Sequence, residues 1–506
     1  MLKTFYIKNM LKSLNERPKS MSNDILKLEP LEVWKNFYSL TRIPRPSGHE
    51  EQIRMFIADF GRNLGLETTV DDVGNIIIRK PATSGMENCK GVILQAHLDM
   101  VPQKNSGTIH DFENDPIETV VDGEWLHACG TTLGADNGLG VAAAMAVLES
   151  VELRHGPVEV LFTSEEETGM TGAFGLKPGM LRGQILMNLD SEDEGELFIG
   201  CAGGINGTMI FTYNEQPVPA GHKGFVIKVS GLKGGHSGMD INLGRGNANK
   251  IMNRVLKEGQ SRYGLLLASI EGGSLRNAIP RESSATVAVP ASKAESFLEG
   301  LSILTGKIKS EISTADPALS IEADIAETPD RVIEESVFIR LVDAVYACPN
   351  GVMRMRSEMT GLVETSNNLA IVRSGNGAVT VECLLRSSVD SAREDLEAMM
   401  RSLFDLAGAV SAFDKGYPGW KPNPDSPILK CMQDIYKTKF GKTPGIQAVH
   451  AGLECGIIGA SYPGLDLISF GPTIRYPHSP AEKVNIPSVV KFWTFLVETL
   501  ANVPLR

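Results

Sequence analysis

Val92-Ile93-Leu94-Gln95-Ala96-His97-Leu98-Asp99-Met100 is a short apolar run that starts after Gly91 and ends in a histidine and an aspartate one residue apart. Such a run reads as a strand buried on both faces, as in a parallel sheet. Side chains at i and i+2 of a strand leave the same face, so His97 and Asp99 converge on one point just past the strand's end. Ligands of open α/β sheets collect outside the carboxyl ends of the strands. His-x-Asp alone is a weak signal, and its meaning depends on what the rest of the chain brings to the same edge.

Elements of matching kind surround it. Residues 31–40 and 49–64 carry helical spacing on either side of the loop Pro44-Arg45-Pro46-Ser47-Gly48, and 67–70 with 75–79 reads as a hairpin. Residues 107–124 read as a polar stretch. The Gly-rich turn 130–138 leads into an Ala-rich helix over 139–150, with Asp136 or Asn137 expected as its N-cap. Residues 158–162 form a second buried strand, followed by Glu165-Glu166-Glu167, and 185–189 a third that ends in Asp190. Strands alternating with helices across short turns predict an α/β fold with a mixed, largely parallel sheet sandwiched by helices.

After Gly203-Gly204 the texture changes. Strands at 225–229, 265–271, 284–289 and 319–323 accompany helices at 247–257 and 294–312. A second round from 337 gives helices over 337–346 and 391–406 with strands at 369–373, 379–385 and 410–413. These are two β/α halves of an inserted α+β lid. The proline-rich 422–427 then leads to helix 428–439, strand 465–470 and helix 487–500, which resemble the first domain in texture. The expected division is an N-terminal extension over 1–21, a catalytic domain over 22–205 and 422–506, and a lid over 206–421. Met21 reads as the better start, since residues 1–8 are basic and mildly amphipathic without a signal-peptide core.

With 506 residues, 42% hydrophobic and 22% charged, the chain has the composition of an ordinary globular protein of more than one domain. A net charge of -12 excludes a general nucleic-acid binder. No apolar run approaches the roughly 20 residues that span a bilayer. Seven scattered cysteines without a Cys-x-x-Cys fit reduced thiols and a cytoplasmic location.

Candidate ligands accumulate at the sheet-end loops: His97 with Asp99, Asp136, Glu166 with Glu167, and Asp190; His478 joins them from the late loop. This mixed nitrogen and oxygen set suits Zn²⁺ or Mn²⁺, and the number of ligands suffices for two metals if one carboxylate bridges them. Taken singly, Asp136 is more often a helix cap, a glutamate run more often a solvated face, and a lone histidine between prolines undecided; their common edge is what counts.

The order His97-Leu98-Asp99, Gly134-Ala135-Asp136-Asn137-Gly138, Glu166-Glu167, Asp190 and His478 resembles the co-catalytic dinuclear zinc peptidases, which include carnosinases, tripeptide aminopeptidase, glutamate carboxypeptidases, aminoacylases and succinyl-diaminopimelate desuccinylase. The longer strings around Ile43–Glu50, 130–136, Met170-Thr171-Gly172-Ala173-Phe174 and His450-Ala451-Gly452-Leu453-Glu454-Cys455-Gly456 resemble its cytosolic dipeptidase branch, over residues 26–500.

The resemblance implies two divalent ions, zinc first with manganese or cobalt as alternatives. Asp136 would bridge them, His97 and Asp190 complete one, and Glu167 and His478 the other. It makes Glu166 the general base and Asp99 the partner of His97, and leaves Glu165 without a role. In the lid, His236 of Gly234-Gly235-His236-Ser237-Gly238 would steady the carbonyl oxygen, from its own chain or from a partner in a homodimer. Asn277, Arg386 and Glu454 would bind substrate. The implied activity is hydrolysis of dipeptides, including Xaa-His. Rival readings are another amide hydrolase of the same scaffold, such as a tripeptide aminopeptidase or aminoacylase, and a non-catalytic metal- or peptide-binding homologue.

Overall fold

The computed structural model describes residues 23–506, so the extension expected over 1–21 lies outside the described residues. The chain divides into two compact units. The first runs up to Ile199 and resumes over Asn423–Gln447 and Ile457–Arg506; the second comprises Gly200–Pro422 and Ala448–Gly456. Residues 448–456 group with the second unit because the Ala202 N–H lies between the carbonyls of Val449 and Ala451, at 3.1 and 3.0 Å.

In the first unit the hairpin β1 (Glu67–Val70) and β2 (Ile76–Lys80) opens an eight-stranded mixed sheet. The opening stretch forms β3 (Val92–His97), and every residue of it is buried. Two short strands, β4 (Thr119–Asp122) and β5 (Trp125–Ala128), precede β6 (Val158–Thr163) and β7 (Ile185–Asn188). The sheet order is β1-β2-β6-β3-β7, then Asp466–Ser469, Glu196–Cys201 and Gly445–Val449. β3 pairs in parallel with both neighbours, His97 opposite Thr163 and Gln95 opposite Asn188. Asp190 therefore lies two residues beyond the partner of Gln95, level with His97. The Ala-rich helix is Ala135–Glu149, buried on every face from Leu139 to Leu148, and it packs against β3 and helix Leu31–Thr41. Small side chains let it lie close to both.

One local expectation is refined and one corrected. The polar stretch 107–124 ends in a strand: β4, followed by β5, joins Ile474–Arg475 and Lys483–Asn485 in a four-stranded sheet. His478 sits in the hairpin loop of that small sheet. Neither Asp136 nor Asn137 caps the helix. Gly134 occupies the N-cap position at φ 69°, Asp136 and Asn137 have non-helical backbone angles, and the Asn137 amide instead bonds the Leu189 carbonyl at 3.0 Å.

The second unit is built on a nine-stranded antiparallel sheet. Its two halves meet where Leu266–Gly272 pairs with Val363–Gly375, Glu271 opposite Arg373. Helices Ala248–Glu258, Ala294–Ile312, Glu335–Ala347 and Asp390–Leu406 share one core with it, centred on Phe225, Phe297, Phe338 and Phe404. Cys201 and Trp420, near the two ends of the long segment 200–422, bond each other's backbone at 3.0 and 2.9 Å. Among the described residues no helix is long and apolar enough to cross a membrane.

A Cβ on Gly134 would stand 2.6 Å from the Arg45 guanidinium and 2.8 Å from the Met100 sulfur, at a positive φ. Gly134→Ala is expected to lose about 1–3 kcal/mol of stability, read by chemical denaturation.

Candidate metal centre

Three neighbouring parallel strands deliver side chains to one edge. His97 ends β3, Glu166 and Glu167 follow β6, and Asp190 follows β7. The turn after β6 is sharp: Glu165 and Met170 both have positive φ, at 51° and 55°, and flank the single turn Glu166–Gly169. Asp136 comes from the non-helical start of the Ala-rich segment Ala135–Glu149, and His478 from the small sheet.

The two oxygens of Asp136 face different imidazoles. Oδ1 lies 3.0 Å from His97 Nε2, and Oδ2 lies 3.1 Å from His478 Nε2. Asp190 Oδ1 is 3.3 Å from the same His97 nitrogen, and Glu167 Oε2 is 3.0 Å from His478 Nε2. All five residues expected to hold metal are thus brought together. Asp99 sits behind His97, with Oδ1 3.3 Å from Nδ1. It also accepts the backbone N–H groups of Glu166 (3.0 Å) and Glu167 (3.2 Å) and the Ser47 hydroxyl (2.8 Å). One carboxylate therefore orients an imidazole and fixes the glutamate turn.

The electrostatics call for cations. Burial pushes Asp190 up to about 6 against the pull of His97, and Asp136 and Glu167 add to the rise. Burial, then Asp136 and Asp190, pushes Glu192 to about 8. Burial disfavours a charged His97, yet Asp190, Asp136 and Asp99 together lift its pKa well above the ordinary value. Hydrogen bonds to Asp136 and Glu167 lift His478 to about 11. Burial would raise Asp99, but His97, Ser47 and the Glu166 amide hold it at about 2.

Glu167 Oε1 is buried with no hydrogen-bond partner among the described residues. Ligand atoms of His97, Asp136 and Glu167 all lie within 4.8 Å of one another. Two imidazoles, three carboxylates and an unused buried oxygen fit a pair of divalent cations, with Asp136 able to serve both.

A second cluster lies within the second unit. His236 Nδ1 accepts the N–H groups of Gly238 (3.2 Å) and Met239 (3.0 Å), so in the neutral ring the proton is on Nε2. Burial, then Arg386, lowers its pKa. Arg386 is buried and donates to the Tyr417 hydroxyl at 2.8 Å and Ser237 Oγ at 3.3 Å. His450, bonded to Ser366 at 2.7 Å, is pushed down to about 3 by burial, then Arg386 and His236. Asn277 is exposed, and its carbonyl accepts from Ser237 N–H. Glu454 is buried in the first turn of Glu454–Ser461.

Comparison with known proteins settles the kinship. The model of Peptidase family M20/M25/M40 matches residues 93–502. The chain belongs to this peptidase family. It is 46% identical to the cytosol non-specific dipeptidase of Escherichia coli (strain K12) over 96% of this chain and 100% of that protein. The crystal structure of aminoacylhistidine dipeptidase from Vibrio alginolyticus, 48% identical, superposes with a TM-score of 0.90 over 95% of this chain and 98% of that one. A tripeptidase from Staphylococcus aureus, 16% identical with a TM-score of 0.54 over 94% and 99%, shares the fold. The mixed sheet and the two-unit build are those of M20 peptidases.

Sequence reasoning gave no role to Arg45, Ser47, Glu192 or Glu482, which line or brace the centre. Arg45 and Ser47 lie in a loop that drew notice as a string; Glu482, four residues past His478, carried no signal.

The neighbouring carboxylates raise the pKa of both His97 and His478, which favours protons on these imidazoles before a cation arrives. Loading with divalent metal at pH 7 is expected to release about two protons per chain, read by pH-stat, and affinity should fall as pH drops through about 6, where Asp190 protonates. Asp99→Asn turns an amide donor toward groups that now donate to the carboxylate, and should weaken metal binding about 10–100-fold in a chelator competition.

Proposed function

We propose that the chain is a metal-dependent dipeptidase of broad specificity that accepts Xaa-His among its substrates. The observation that carries the chemistry is Asp136 set between His97 and His478, with Asp190 and Glu167 beside them. Substrate class is supported by near full-length similarity to two dipeptidases.

His97, Asp136 and Asp190 would hold one cation, and His478, Asp136 and Glu167 the other. Zinc is proposed on the donor set, with manganese or cobalt able to replace it. When bound, the pair would supply Lewis acidity, polarising a carbonyl and lowering the pKa of an attacking water. Glu166, its N–H anchored on Asp99, takes the proton from that water and passes it to the leaving amine. The neutral His236, with its proton on Nε2, would donate to the carbonyl oxygen as negative charge develops there. Arg386 pairs the substrate's free carboxylate, aided by Asn277; Glu454, fully buried, would act on the shape of that subsite. A cytoplasmic location is supported by seven free cysteines and by the named location of the Escherichia coli relative.

A panel of Ala-Ala, β-alanyl-histidine, tripeptides and N-acetyl amino acids with added Zn²⁺, Mn²⁺ or Co²⁺ tests the reading. Turnover of the two dipeptides should dominate, and preference for tripeptides or N-acetyl substrates would overturn it. Glu166→Gln should keep two metals per chain and lose about 10²–10⁴-fold in kcat. Mixing Glu166→Gln with His236→Ala chains tests a shared homodimer site: activity returns only if His236 serves a second copy.

A further inference from the structure

Glu482 is 2% exposed, yet among the described residues no cation pairs with its carboxylate directly. It accepts four consecutive backbone N–H groups instead: Leu133 and Gly134 on Oε2 at 2.7 and 3.0 Å, Ala135 and Asp136 on Oε1 at 2.8 and 3.2 Å. Amides at the start of a helix lack partners within it, and a local Ser, Thr, Asp or Asn ordinarily supplies one. Here the acceptor arrives from the segment that carries His478. On the other side of the same loop, Arg45 is 3% exposed and donates to the carbonyls of Leu98 (2.9 Å), Asp99 (3.0 Å) and Gly134.

The two side chains act as opposite clamps on one loop. Arg45 ties the end of β3 to residues 133–136, and Glu482 ties residues 133–136 to the His478 hairpin. Each charge is satisfied by oriented peptide groups. Two buried ions are a costly way to stabilise a fold, since apolar residues of similar volume often do as well. What they provide is a fixed spacing between His97, Asp136 and His478.

We propose that Glu482 and Arg45 are positioning residues that assemble the ligand loops of the metal centre before any cation binds. They touch neither substrate nor metal; they act through the backbone of Asp136 and its neighbours. The proposal rests on the metallopeptidase reading only for the nature of the ligand.

The test measures Zn²⁺ binding by chelator competition, apart from turnover, in the wild-type chain and in Glu482→Gln and Glu482→Asp. Gln turns an amide donor on two of the four N–H groups and should weaken Zn²⁺ binding about 10–100-fold. Asp keeps the charge on a shorter arm and should recover part of that loss. Unchanged affinity in Glu482→Gln would overturn the proposal, whereas a wild-type chain that binds no divalent ion would overturn the metallopeptidase reading. Hydrogen exchange on the metal-free wild-type chain decides the matter should the variants not fold. Slow exchange at Leu133, Gly134, Ala135 and Asp136, little changed by Zn²⁺, is expected. Fast exchange that slows only on Zn²⁺ addition would show that the cation, not Glu482, organises the loop.

Discussion

One carboxylate with an imidazole on each oxygen sets the demands on everything around it. Asp136 meets His97 through Oδ1 and His478 through Oδ2, so two loops distant in sequence must stop within a few tenths of an ångström of a shared position. Rigid elements supply that accuracy. His97 ends a fully buried strand paired on both sides, and the Asp136 loop leads into a helix buried all round. His478, whose own backbone is at φ 58°, is held by the small sheet.

The second demand is charge. Carboxylates crowded at low dielectric repel one another by several kcal/mol unless cations or protons intervene. The same crowding raises the pKa of His97 and His478 and, with burial, that of Asp190 and Glu192. Asp99 differs: with oriented donors on both oxygens it stays ionised. Neighbouring carboxylates thus differ in charge behaviour, and environment rather than residue type makes the difference.

Much of this was legible in the sequence where local chemistry writes it. Unbroken apolar runs gave β3, β6 and β7 to within a residue or two, and the residues just past each run are the ones the structure gathers. The small sheet was not legible, because its strands are four residues or fewer and only partly buried. The cap of the Ala-rich helix was misread for a related reason. Asp136 is a good local N-cap by type, but its side chain is taken by two imidazoles, and the acceptor for the helix start lies 346 residues further along the chain. Segment 448–456 reads as part of the first unit until its hydrogen bonds to Ala202 are seen. Local preference yields wherever a distant group competes for the same donor.

The bridge between Cys201 and Trp420 has a consequence for engineering. A segment of more than two hundred residues that leaves and re-enters the chain across one hydrogen-bonded pair adds little loop-closure entropy to the unit that hosts it, because its ends are already closed. A turn of about two residues has the reach to replace it. All candidate metal ligands lie outside 200–422. Exchange of the insertion is therefore open to design without altering a candidate metal ligand, provided that residues 448–456, which belong to the second unit, are carried with it.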